Sequence, residues 1–268
     1  MANSINNFAS DSKNSIFNAR GFITHPPNFF PETDYLLSSL NIKRNTIIPR
    51  IWVHPILFYF KKIQFNSPFK KNNLIINCAR LDNLDVNERF SLDNKGTGNL
   101  LLALKRLHEE GFNFKCIFFE KGQNIEKVKA AIIQYKISDI VIWKKPVSYK
   151  RLCYLIQSSN VVGVLDSVGI STIGKVAIMG YYSRKPTIGN LSNSNWKLLF
   201  EGESRNPILH AHDFESVYEQ IKLLLLDKDK KYLSRINFGF RQQNSHRKLN
   251  QEKSYKILNW IRSLLKDI

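Results

Sequence analysis

This sequence predicts an α/β fold, a parallel sheet flanked by helices, and three observations carry the prediction. Short apolar runs recur through the middle of the chain, at LIINCAR (74–80), KCIFFE (115–120), DIVIW (139–143), NVVGVLD (160–166), KPTIG (185–189) and PILHA (207–211). Stretches with helical spacing of apolar residues separate most of them, as right-handed βαβ crossovers require. At Asp166 the run NVVGVLD changes abruptly to small and polar residues, and the carboxyl end of a strand is the usual ligand edge of an open α/β sheet.

The elements follow in order. LIINCAR is apolar enough for a strand buried on both faces, and NLLLALKRLHEE after it has the periodicity of a crossover helix. KCIFFE leads into the helix IEKVKAAIIQY, and DIVIW leads into YKRLCYLIQSS. NVVGVLD leads through a Gly/Ser-rich turn into IGKVAIMGYY, after which Lys185-Pro186 opens the next strand. PILHA precedes FESVYEQIKLLLL, whose acidic first turn after Asp213 suits a helix N-terminus. A last helix is expected in SYKILNWIRSLLKDI, with apolar positions at Tyr255, Ile257, Leu258, Ile261, Leu264 and Leu265. The division expected is 1–71 as an extension, 72–226 as an α/β domain of Rossmann-like architecture, and 227–268 as a basic helical tail.

Composition bounds the function. With 268 residues and 43% apolar content the chain can bury a substantial core. The net charge is +18, concentrated at the two ends: 1–71 holds nine Lys/Arg against three Asp/Glu, and 227–268 holds eleven against four. Such ends suit an anionic membrane surface or a phosphorylated ligand, while compositional bias toward Lys gives the same charge without a partner. Nucleic acid is disfavoured, because the aromatic motifs that stack bases are absent. Cys78, Cys116 and Cys153 lie in or beside apolar segments without metal-ligand spacing and read as reduced core residues in a cytoplasmic protein. The amino terminus lacks a basic region followed by a long apolar run, and no apolar window of about 20 residues is present. The six histidines show no zinc spacing, Ser171 has no evident triad partners, and no P-loop occurs.

The order of INCAR, NKGTGNLLLALKRL, VVGVLDSVGISTIGKVAIMGYYSRKPTI and HAHDFESVYEQIKLLLLD resembles the C-terminal nucleotide-sugar-binding lobe of a two-lobed (GT-B type) retaining glycosyltransferase, family 4-like or group 1. The resemblance covers about Asn73 to Asp227. The family's Gly-Arg and Lys-Gly pairs are matched by Ala79-Arg80 and Lys95-Gly96, and its Lys-Pro pair by Lys185-Pro186. It implies a retaining transfer of a hexose from a nucleotide-diphosphate sugar to a glycan or lipid-linked acceptor, without a metal or other cofactor. The location implied is cytoplasmic, or peripheral at the inner face of a membrane.

Under that resemblance Arg80 and Lys95 are the catalytic candidates, stabilising the charge that grows on the leaving diphosphate. Arg89, within the unusually long DNLDVNERFSLDN interval, is an alternative to Arg80. Gly169, Ile170, Ser171 and Thr172 offer backbone or hydroxyl donors to the phosphates, and a purely structural turn explains the same residues. Asp166 either orients the loop or a sugar hydroxyl, or caps a helix. Met179 stands where the resembling enzymes place a carboxylate for the donor ribose, and a thioether cannot accept those two hydroxyl bonds. Glu201 and Glu203 are possible substitutes for that carboxylate, or an exposed acidic loop. The segment 1–71 is too short for the family's full N-terminal lobe. Two further readings therefore accompany the enzyme: a weak or inactive donor-binding subunit that needs a partner lobe, and a polyanion-binding α/β protein.

Overall fold

The computed structural model describes residues 22–24, 38, 47–49, 73–82, 84–85, 94–169, 174–183, 185–199, 206 and 208–226. The chain divides into two compact units, Met1–Val53 with Arg247–Ile268, and His54–His246. In the first, strand β1 (Phe22–Thr24) pairs in parallel with β2 (Ile47–Pro49). The expected helix at 254–268 lies outside the described residues, as do most of 1–71 and all of 227–268.

The second unit alternates strand and helix throughout. Strands β3 (Asn73–Asn77), β4 (Phe114–Phe119), β5 (Val141–Lys144), β6 (Val161–Leu165), β7 (Thr187–Gly189) and β8 (Ile208–His210) form one sheet. Helices α1 (Thr97–Glu109), α2 (Ile125–Gln134), α3 (Tyr149–Gln157), α4 (Lys175–Tyr182) and α5 (Asn193–Leu199) connect them, and α6 (Phe214–Leu226) follows the last strand. All neighbours pair in parallel, in the order β5-β4-β3-β6-β7-β8. The Rossmann-like parallel sheet flanked by helices is therefore present.

Alternation along the strands sorts the core into two layers. Ile75 of β3, with Cys116 and Phe118 of β4, packs under α1, α2 and α6, through residues such as Leu101, Leu104, Val128 and Ile221. Leu74, Ile76, Ile117 and Phe119 face the other way, against Leu152, Cys153 and Ile156 of α3 and Met179 of α4. Met179 is fully buried there, so the position that the resemblance assigns to a ribose-binding carboxylate belongs to the core.

Helix α5 is an element that the apolar pattern does not signal. It is two turns long, opens on polar residues, and starts where Ser192 Oγ accepts from the Asn195 amide at 3.2 Å, a side-chain cap that closes the first turn. Trp196 then anchors it, at 2% exposure. Strand β3 also ends earlier than the apolar run suggests. Its pairing stops at Asn77, whose Oδ1 turns back to accept from the Ala79 amide at 3.2 Å.

Polar contacts lock α6 onto α1. Tyr218 Oη donates to Glu110 Oε1 and Oε2 at 2.6 and 2.9 Å, and Lys222 Nζ donates to Oε2 at 2.9 Å. The Tyr218 and Lys222 donors hold the Glu110 carboxyl below the ordinary carboxylate range. Arg106 lies 3.9 Å from the Tyr218 ring centroid and reaches both Glu215 oxygens, at 3.1 and 3.0 Å.

The Lys185-Pro186 pair has a structural reason. Lys185 Nζ donates to the carbonyls of Ser158 and Val161, both at 2.8 Å, tying the end of α3 to the start of β6. Burial pushes this ammonium down to about 8 from 10.5, so between those values the unfolded chain holds a proton that the folded chain releases. Lys185→Met leaves two carbonyls without their donor and is expected to cost about 2–3 kcal/mol in urea unfolding at pH 7. The gap between wild type and variant is expected to widen as pH rises above about 8, because a lowered folded-state pKa makes the lysine's contribution grow through that window. Equal stability at pH 7 together with a gap independent of pH would contradict this role.

Candidate functional site

The strand order reverses at β3. The chain runs outward through β4 to β5, then returns to place β6 on the other side of β3. The βα turns after the neighbouring strands β3 and β6 lead to helices on opposite faces of the sheet, α1 and α4, the arrangement that places a crevice at a switch point. The sequence places Arg80 just beyond β3, Lys95 before α1, and Asp166 to Gly169 just beyond β6, all at this edge.

Backbone bonds hold the two turns together. The Cys78 amide donates to the Leu165 carbonyl at 3.1 Å, and the Val168 amide donates to the Lys95 carbonyl at 3.2 Å. Asn94, 5% exposed, shapes the approach to α1: its Oδ1 accepts from the Gly96 amide at 2.8 Å. Gly96 then takes a left-handed conformation, φ 76°, as the residue that caps α1. A methyl group there would sit 2.7 Å from the Gly169 nitrogen, and one on Gly169 would sit 2.7 Å from the Gly96 nitrogen. Side chains are excluded at both, so main chain lines this part of the crevice.

The charged groups are arranged unequally. Arg80 is 45% exposed, and its Nε lies 3.3 Å from Asp82 Oδ2, an ion pair without an aligned hydrogen bond. Asp82 is held in turn through Oδ1 by the Gln123 amide at 3.4 Å. Lys95 is half-buried, and its charge acts on Asp166. The first turn of α1 contains no acidic residue, and Asn94 Oδ1 holds the Gly96 amide at its start. Burial, then the Asp166 charge, push the Cys78 thiol well above its ordinary value, which leaves it protonated.

Asp166 takes the helix-cap geometry. Its Oδ2 accepts from the Ala177 amide at 3.2 Å, and the Ser167 and Gly174 amides also bond to the carboxylate. Burial nevertheless raises its pKa above the ordinary aspartate value. Ile170, Ser171 and Thr172 lie outside the described residues, as do Arg89, Glu201 and Glu203. Sequence reasoning missed Asn94 and Asp82, which position Gly96 and Arg80; an Asn two residues before a glycine is the only sequence signal for the former. Among the described residues no group of three or more His, Cys, Asp or Glu side chains could hold a metal ion. Nor is any described helix long and apolar enough to cross a membrane.

Solved structures share this architecture. Pneumococcal O-GlcNAc transferase GtfA, solved with UDP and GlcNAc, is 14% identical and superposes with a TM-score of 0.63 over 97% of this chain and 48% of its own. Anabaena HepE, solved with UDP and glucose, is 12% identical, TM-score 0.63, over 91% of this chain and 64% of its own. The parallel sheet and its flanking helices match the topology of a GT-B C-terminal lobe. Sucrose-phosphate synthase from Thermosynechococcus elongatus gives 14% identity and a TM-score of 0.66 over 96% of this chain and 61% of its own. The chain thus spans about half of GtfA and under two thirds of the other two. No family model matches the chain. No curated protein matches it either.

The main-chain contact at the crevice makes a measurable demand. Gly96→Ala combines left-handed strain with a collision and is expected to cost about 2–4 kcal/mol in urea unfolding. Gly111→Ala, at φ 79° but with nothing within 4 Å, isolates the strain alone and is expected to cost about 1–2 kcal/mol. Equal losses in the two variants would show that the crevice turns are not tightly apposed.

Proposed function

We propose that this chain binds a nucleotide-diphosphate sugar at the β3/β6 edge and serves as the donor lobe of a retaining, family 4-like (group 1) glycosyltransferase. Turnover requires a second lobe to present the glycan or lipid-linked acceptor, wherever that lobe is encoded. The observation that carries the reading is the switch point of the sheet, where the main chain of the two turns meets at the start of α1, whose first turn holds no acidic residue. Structures of the same fold, GtfA and HepE, were solved with UDP and a sugar.

In this reading Arg80 and Lys95 meet the diphosphate, and the turn from Gly169 through Ile170, Ser171 and Thr172 covers it. Charge grows on the bridging oxygen as the glycosidic bond to the donor breaks, and fixed cations stabilise that charge more than they stabilise the bound donor. No step calls for a metal ion. The partial span of the related chains and the burial of Met179 both favour a donor-binding lobe that depends on a partner over an independent enzyme. The reading places the protein in the cytoplasm, with its basic ends at the inner face of an anionic membrane.

Isothermal titration with a panel of nucleotide sugars tests the site without knowledge of the acceptor. Arg80→Ala and Lys95→Ala are each expected to lose about 1.5–3 kcal/mol of donor binding while remaining folded. Product is expected only when a second lobe is supplied. Wild-type affinity in both variants would remove the proposed phosphate contacts, and turnover by the chain alone would overturn its dependence on a partner.

A further inference from the structure

The two faces of the sheet carry their charge differently. Helices α1, α2 and α6 hold five Lys/Arg against four Asp/Glu. Most of those cations are paired: Lys105 with Glu109, Arg106 with Glu110 and Glu215, Lys129 with Glu120 and Glu126, and Lys222 with Glu110. On the other face, α3 and α4 with the residues that flank them, 145–159 and 174–183, hold Lys145, Lys150, Arg151 and Lys175 and no acidic residue. All four are exposed, and among the described residues none of them has a carboxylate partner.

The four cations meet at one corner. Ser148 Oγ accepts from the Arg151 amide at 3.4 Å, which closes the first turn of α3 and fixes Tyr149, Lys150 and Arg151 on it. Tyr149 is 47% exposed, and Lys175 Nζ, at the start of α4, lies 5.6 Å from its ring centroid. Lys175 directly follows Gly174, whose amide bonds to Asp166, so this corner borders the crevice.

We propose that the corner formed by Lys145, Tyr149, Lys150, Arg151 and Lys175 is the surface by which the domain lies on an anionic lipid bilayer. Cations without carboxylate partners gain from the negative potential of acidic headgroups with no salt bridge to break first. An exposed tyrosine among them takes the interfacial level that suits its apolar ring and polar hydroxyl. Nucleic acid fits less well, because a base-stacking platform needs several open aromatic faces and Tyr149 is one ring with a lysine already over it. The proposal rests on the donor-lobe reading for its meaning: a bilayer on this corner brings a lipid-linked acceptor to the edge at which the donor binds.

Co-sedimentation of the full chain with vesicles of equal parts phosphatidylserine and phosphatidylcholine reads the affinity, with phosphatidylcholine alone as the blank. Lys145→Gln, Lys150→Gln and Arg151→Gln combined are expected to weaken binding at least about tenfold, since each cation near such a surface is worth about fivefold. The same loss of charge beside α1 and α2, as Lys105→Gln, Lys127→Gln and Lys136→Gln combined, is expected to weaken it by less than about threefold. Tyr149→Ser is expected to lose part of the affinity and Tyr149→Trp to keep it. Equal losses in the two triple variants would assign the binding to net charge and overturn the proposal, as would wild-type binding in the first triple. Poly(U) bound more tightly than the vesicles, and lost in the first triple, would give the face to nucleic acid and overturn it as well. Titration with nucleotide sugars keeps the two readings apart. Vesicle binding lost only in the first triple, without donor binding in any variant, upholds the surface and removes the donor lobe, whereas donor binding with vesicle affinity untouched in the first triple removes the surface alone.

Discussion

The close apposition of two βα turns at the point where strand order reverses is the constraint on which the rest of this structure depends. Gly96 and Gly169 approach so closely that neither tolerates a side chain, and the Val168 amide donates to Lys95 O across the same gap. That contact aims α1 at the crevice, brings Lys95 toward Asp166, and leaves main-chain groups as the lining. The two-layer core beneath supplies the rigidity. Ile75 and its neighbours bind α1, α2 and α6 to one face, while Leu74, Ile76 and Met179 bind α3 and α4 to the other.

Much of this was legible because burial on both faces leaves a plain mark on a strand. LII, CIFF and VVGVL are runs without a charged or polar side chain, and each lies in a central strand of the parallel sheet. The crossover helices were legible from their leucine and isoleucine spacing. What failed to show were elements held by polar contacts. Helix α5 rests on a serine cap and one buried tryptophan, and the end of β3 rests on an asparagine turning back on its own backbone. Neither leaves an apolar period to read.

The site was legible in position more than in role. The change from apolar to small residues at Asp166 marked the ligand edge, and Arg80 and Lys95 lie on it. The role of Asp166 depends on which amides its oxygens meet, and a spacing of eleven residues to Ala177 gives no such information. Lys185 shows the same limit: its place in a Lys-Pro pair invites a functional reading, while its two carbonyl partners make it a brace between α3 and β6. Three electrostatic arrangements thus coexist in one domain. A half-buried lysine closes carbonyls at one end of the sheet, a half-buried aspartate closes an amide at the other, and the first turn of α1 carries no acidic residue of its own.

The central claim is that an anionic nucleotide ligand binds between the carboxyl ends of β3 and β6. Hydrogen exchange of the folded chain, measured with and without a saturating nucleotide-diphosphate sugar, tests it most directly, since amides bonded to phosphate exchange slowly. The account predicts slowed exchange confined to the turns around Cys78–Arg80, Lys95–Asn99 and Ser167–Gly169, with the opposite edge around Lys115 and Lys185 unchanged. Protection at that opposite edge, or no protection at the three turns under conditions where the ligand binds, would contradict it.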